Sequence, residues 1–137
     1  MKKKFTIDFL LTESNHVIIE CKVNSIKCRL LIDTGASHSC IDYNSASKFN
    51  LSLKKSQEKG LSATNNINEI YFSNNNKLEI ADLKKNDFEI ILFDMTFINN
   101  SLREKEINAI DGIIGGDLLI ELSGKLCYKK KQLILEF

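Results

Sequence analysis

The chain of 137 residues contains no proline. Its turns therefore cannot rest on a locked φ and fall to asparagine, which tolerates left-handed backbone; Asn65 with Asn66 and the run at 74–76 are the clearest cases. Charge of one sign is also missing. A formal net charge of +1 argues against a nucleic-acid or anionic-membrane partner held by bulk electrostatics, and the short lysine runs at 2–4 and 129–131 read as solvated ends and turns. No apolar stretch approaches 18 residues, so nothing is expected to span a membrane. The opening Met-Lys-Lys-Lys has the charge of a signal n-region, but the apolar run behind it is short and carries Asp8. It reads as a strand, and the chain is expected in the cytoplasm. The four cysteines show no CxxC spacing, and only His16 and His38 could join them, which argues against a zinc or other metal site. No repeat or linker appears, and residues 1–137 are expected to form one domain.

What is present is ordinary soluble composition, 43% apolar and 27% charged, arranged as many short strands. Residues 5–11, 16–23 and 26–32 are apolar or alternating and rich in β-branched side chains. A hairpin turning at Asn24-Ser25 sets Cys21 opposite Cys28 on an apolar face, and the pair reads as two small buried hydrophobes rather than a disulfide. Residues 45–51 fit one helical turn. Residues 61–72 suggest a hairpin with its tip at 64–67, and 77–80 and 88–95 suggest further strands with turns at 74–76 and 84–87. Residues 102–107 are polar and read as loop or short helix. In 110–122, Ile113 and Ile114 finish a strand and Gly115-Gly116 breaks it. Asp117 can then cap a helix carrying Leu118, Leu119 and Leu122. Residues 125–128 and 132–137 form a closing hairpin. The fold class expected is all-β, a closed barrel with one short helix in the C-terminal half.

One residue resists this pattern. Leu30-Leu31-Ile32 is a buried strand, yet Asp33 follows it directly. A buried carboxylate must be hydrogen-bonded, paired or neutral. Asp33 therefore either caps a local turn or is held there for chemistry.

The stretch Leu31-Ile32-Asp33-Thr34-Gly35-Ala36-Ser37 resembles the active-site loop of the retropepsin-like aspartic proteases. Asp111-Gly112-Ile113-Ile114-Gly115-Gly116-Asp117-Leu118-Leu119 resembles that family's second signature. The hairpin before the first motif also fits, so the resemblance covers nearly the whole chain. It implies a retropepsin-like barrel and an aspartic endopeptidase in which Asp33 is catalytic and Thr34 and Gly35 brace and position it. Two carboxylates sharing one proton are needed, because like charges about 3 Å apart cannot both ionise. One chain supplies one loop, whereas pepsin-like members carry two in a longer chain. The resemblance thus implies a homodimer acting on polypeptide substrate, without metal or organic cofactor. It also implies a substrate channel lined by Ala36, by Asn65, Asn66 and Ile67 of a flap at 61–72, and by Asp111, Ile113 and Ile114. Asp111 as the second carboxylate within one chain is disfavoured, since it lacks the Thr-Gly that shapes the loop. Viral members carry an acidic residue where Ser37 stands and an arginine where Gly116 stands; both are missing together here. His38 reads as a surface residue, and 129–137 adds a strand that either extends a dimer sheet or covers an edge. A retropepsin-fold module that binds peptides without cleaving them is the alternative. Ala36 lacks the hydroxyl of pepsin-like loops, so activity is expected in mildly rather than strongly acidic conditions.

Overall fold

A computed structural model describes residues 1–61 and 67–137, with the side chains of 56–61 and 67–68 left aside. In chain order the strands are β1 (Lys4–Asp8), β2 (Leu10–Leu11), β3 (Val17–Val23), β4 (Ile26–Ile32), β5 (Cys40–Asp42), β6 (Lys54–Leu61), β7 (Ile67–Ile80), β8 (Leu83–Phe93), β9 (Gly112–Ile114), β10 (Lys125–Cys127) and β11 (Gln132–Glu136). A 3-10 turn follows β5 at Tyr43–Ser45, and two α-helices occur, α1 (Thr96–Glu104) and α2 (Gly116–Glu121).

Eight strands run in the order β2-β3-β4-β9-β5-β8-β7-β6, and β3 pairs again with β7. That extra pairing joins β3, β4, β9, β5, β8 and β7 into a closed ring of six, the expected barrel. The β3–β4 hairpin follows from its sequence: Asn24 and Ser25 both take positive φ, 50° and 70°, the pattern of a two-residue turn matched to strand twist. Its register pairs Cys21 with Cys28 as the alternation required. The seam of the ring is short, with Lys22 opposite Glu79 and Val23 opposite Leu78. Asn24 stitches it. Its backbone N–H donates to Lys77 O at 2.8 Å, its Oδ1 accepts from Lys77 N at 2.9 Å, and its Nδ2 donates to Phe49 O and Asn76 Oδ1.

The main core fills the barrel with alternate side chains of its strands, among them Ile19, Cys21, Val23, Cys28, Leu30, Ile32, Leu78, Ile80, Leu83 and Ile114, together with Phe49. A second cluster lies on the other face: Ile18 of β3, Cys40 of β5 and Ile113 of β9 meet Met95, Leu102, Ile107 and Ile110. A nine-residue helix is marginal alone. Here Met95, Leu102, Ile107 and Ile110 dock the α1 segment, at about 1.5–3 kcal/mol for each side chain fully buried. Asn99 adds two hydrogen bonds to the backbone of Ile110.

Several expectations need correction. The strand expected over 5–11 is split at buried Phe9, so that β1 and β2 enter different sheets. The runs at 74–76 and 84–87 are not turns: β7 and β8 pass through them, and the hairpin reverses between Ile80 and Leu83. Asn75 and Asp87 do have positive φ, 60° and 58°, but around Asn76 this conformation is spent on register shifts inside the ladder. The helical turn expected at 45–51 is present, with Phe49 N–H donating to Ser45 O and Asn50 N–H to Ser47 O, and the 3-10 turn at Tyr43–Ser45 leads into it. The polar segment at 102–107, read as loop or short helix, begins inside α1, which runs to Glu104, so the barrel carries a second helix. At the C-terminal end, β11 lies between β1 and β10 of the same chain in a three-stranded antiparallel sheet.

Candidate active site

Asp33 stands at the exit of β4, half-buried, with Thr34 and Gly35 exposed beyond it. Gly35 N–H donates to Asp33 Oδ1 at 2.9 Å, and Ala36 N–H donates to Asp33 O at 3.1 Å, closing a tight turn. The loop is fastened to the second motif from both sides. Asp33 N–H donates to Ile114 O at 3.0 Å, and Gly116 N–H donates to Ala36 O at 2.7 Å. β4 and β9 run parallel with Ile32 opposite Ile114, which is why the two distant motifs end at one place.

Close approach dictates two glycines there. A Cβ on Gly115 would stand 2.7 Å from Ala36 O and 2.8 Å from His38 O, and one on Gly112 would stand 2.1 Å from Cys40 O. Buried Ser39 completes the fastening: its Oγ accepts from Gly115 N at 3.0 Å and donates to Asp117 Oδ1 at 2.8 Å. Asp117 thus serves as a hydrogen-bond acceptor in the first turn of α2, while Gly115 occupies the N-cap position without a side-chain cap. Sequence reasoning misses Ser39. No pattern marks a lone serine whose partners lie 78 and 76 positions away.

The remaining expected site residues divide. Ala36 and Leu31 pack against the second cluster beside Ile113, while Ile114 points into the main core. Asp111 lies at the opposite end of the β4–β9 pair, four residues of strand or roughly 13 Å from Asp33 at about 3.3 Å per residue. Its Oδ2 accepts from Arg29 N at 2.9 Å, and its Oδ1 pairs with Lys48 Nζ at 3.1 Å. Asn65 and Asn66 lie outside the described residues, as does the tip of the hairpin at 61–72; Ile67 opens β7 opposite Leu61. His38 is exposed, with Nδ1 3.0 Å from Ser37 Oγ. Burial pushes the Cys40 thiol up to about 12, so the cysteine nearest the loop is no nucleophile at neutral pH.

Beside the loop, Thr34, Gly116, Leu119, Ile120, Ser123, Gly124 and Leu126 line a groove of about 500 Å³. None of these side chains is charged. Ile120 is 81% exposed, the largest exposure of any aliphatic side chain inside a regular element among the described residues. Among those residues no helix is long and apolar enough to cross a membrane.

A family model described as aspartyl protease matches residues 19–118. No curated protein matches the sequence. Solved structures do match. A retropepsin-like aspartic protease from Rickettsia conorii superposes with a TM-score of 0.65 at 18% identity, over 100% of this chain and 93% of the other. The retroviral protease-like domain of Ddi1 from Leishmania major gives 0.62 at 17%, over 88% and 87%. The EIAV protease complexed with the inhibitor HBY-793 gives 0.60 at 16%, over 86% and 98%. At these identities the likeness is one of fold.

Proposed function

Since the chain belongs to the aspartyl protease family, we propose that it is an aspartic endopeptidase whose active unit is a homodimer with one Asp33 from each copy. Family and fold support proteolysis in general; the observation that carries the dimer is the setting of Asp33. Its carboxylate, at a loop exit, accepts the Gly35 N–H and makes no ion pair among the described residues. Asp111 is too far along β4–β9 to pair with it, and the adjoining groove is lined by uncharged side chains with Ile120 exposed. A second copy related by a two-fold axis covers that face and brings a second Asp33.

In the dimer the two carboxylates share one proton. The ionised one takes a proton from water as the water oxygen attacks the peptide carbonyl, and the protonated one hydrogen-bonds the carbonyl oxygen. The proton then passes to the departing amine as the C–N bond breaks. Gly35 N–H holds the loop end of the carboxylate, and the hydroxyl of Thr34 reaches the partner loop. Ala36, Ile113 and the flap residues Asn65, Asn66 and Ile67 line the channel; Ile114 supports the loop from beneath. Asp111, tied to Lys48, stands at the channel's outer end. β11 has both edges occupied within its own chain, so the partner meets the groove and the open edge of β10 instead.

The test pairs cleavage with sedimentation. Wild-type chain should cleave denatured casein between pH 4 and 7, Asp33→Asn should remain dimeric and inactive, and Ile120→Asp should sediment as a folded monomer without activity. Equal cleavage by Asp33→Asn overturns the catalytic assignment. A wild-type dimer that binds casein without cutting it leaves a peptide-binding module.

A further inference from the structure

Cys21 and Cys28 face each other across the β3–β4 hairpin with their sulfurs 3.2 Å apart, both buried and both free thiols. Counting alternation from the two-residue turn, Val23–Ile26 is a hydrogen-bonded pair, Lys22–Lys27 is not, and Cys21–Cys28 is again. Such pairs hold their Cα atoms about 5.5 Å apart, inside the range and near the mode of disulfide-bonded cysteines. The sulfurs need to close by about 1.2 Å to reach bonding length. A hydrogen-bonded pair holds its Cβ atoms about 5.5 Å apart rather than at the roughly 3.8 Å of a disulfide. Rotation must therefore be joined by a small approach of the two strands, which is easiest before the hairpin is packed. No other cysteine competes, since Cys40 sits in the second cluster and Cys127 on β10 of the separate sheet.

We propose that Cys21 and Cys28 form a disulfide site, which a low-molecular-weight disulfide closes while the hairpin is still accessible during folding. One cysteine thiolate attacks the reagent's S–S bond, forming a mixed disulfide and releasing one thiolate. The second cysteine thiolate attacks the protein sulfur of that mixed disulfide and expels the other. The two protons of the cysteines end on the two released thiols, and the two electrons end there as well.

Timing follows from the native environment. The neighbouring Cys28 thiol, with burial behind it, holds the Cys21 thiol far above its ordinary range. In the folded chain Cys21 therefore stays protonated, and its buried thiol is slow to exchange. This separates it from a catalytic dithiol, which needs a stable thiolate. Once closed, the bond is equally sheltered from reductant. It locks the hairpin whose second strand ends at Asp33, and it does so whatever the chain's activity.

The experiment refolds the full chain from urea with oxidised glutathione or with reduced glutathione. The oxidised product should be two hydrogens lighter, retain two alkylatable thiols of four, and yield after trypsin the peptide ending at Lys22 joined to Cys28-Arg29. For an eight-residue loop its Tm should lie about 5–10 °C above that of the reduced chain. Native wild-type exposed to the same reagent should oxidise much more slowly, and Cys21→Ser should lose both the link and the Tm rise. Four free thiols after oxidative refolding, a link through Cys40 or Cys127, or an unchanged Tm each overturns the proposal. Should the serine variant fail to fold, the wild-type peptide map decides.

Discussion

Replacing Ser39 with alanine removes one oxygen from a buried site and adds no bulk. Two bonds are lost, and they are unequal. Gly115 is buried, so its N–H, now 3.0 Å from Ser39 Oγ, is left without a partner, at about 1–3 kcal/mol. Asp117 is exposed; water replaces the hydroxyl on its carboxylate, and that loss is worth less than about 1 kcal/mol. The amide dominates, for a total of about 2–3 kcal/mol. At about 2.1 cal/mol/K per residue, 137 residues unfold with about 0.29 kcal/mol/K near Tm, so Ser39→Ala should lower Tm by about 7–10 °C. Asp117→Ala should lower it by no more than about 3 °C, and the double variant should fall short of the sum because both touch one hydroxyl. Calorimetry of the four chains supplies the cycle. A Ser39→Ala shift below about 3 °C, or an Asp117→Ala shift larger than it, would refute the claim that Ser39 works through the Gly115 amide.

Gly112→Ala should be costlier still, since the new Cβ falls 2.1 Å from the Cys40 carbonyl oxygen and β5 must part from β9; about 3 kcal/mol or more should appear in urea titration. Hydrogen bonds from the Thr96 hydroxyl, the Thr96 amide and Asn44 hold the Asp94 carboxyl below the usual range. A depressed carboxyl stabilises above its unfolded value of about 3.9 and loses that contribution as pH falls through the folded value. The gap in urea midpoint between wild type and Asp94→Asn should accordingly be open at pH 7 and closed near pH 2. Casein cleavage should peak in the mildly acidic range, because Ala36 offers no hydroxyl to the loop carboxylates; a maximum at or below about pH 3 contradicts this.

The register of the β3–β4 hairpin and the singling out of Asp33 are legible directly. A two-residue turn fixes which side chains oppose, and a carboxylate set straight behind a buried strand needs a partner or a chemical role. The long β7–β8 hairpin is not legible in the same way, because left-handed asparagines serve a bulge as well as a turn, and only the partner strand distinguishes them. The start of α1 is hidden for another reason: its N-cap residue Met95 offers no side-chain cap, Asp94 holds the Thr96 amide from one position earlier, and contacts of Met95 and Leu102 with distant strands do the rest. Ser39 carries no signature at all, since its importance lies wholly in Gly115 and Asp117, which meet it only after the chain has folded. Asp117 stands out as a cap for the right chemical reason, a carboxylate near a helix start, but its acceptor oxygen goes to a side chain instead of the helix backbone.

The ring of six strands is sealed by two residue pairs and one turn asparagine, joining segments far apart in the chain. Local hairpins can assemble early, but this clasp must wait until the intervening chain has been gathered, because closing a long loop comes at an entropic loss that only the finished ring offsets. Once closed, the clasp is fastened by Asn24 at the tip of the hairpin, the end of β3–β4 away from the strand exit that holds Asp33.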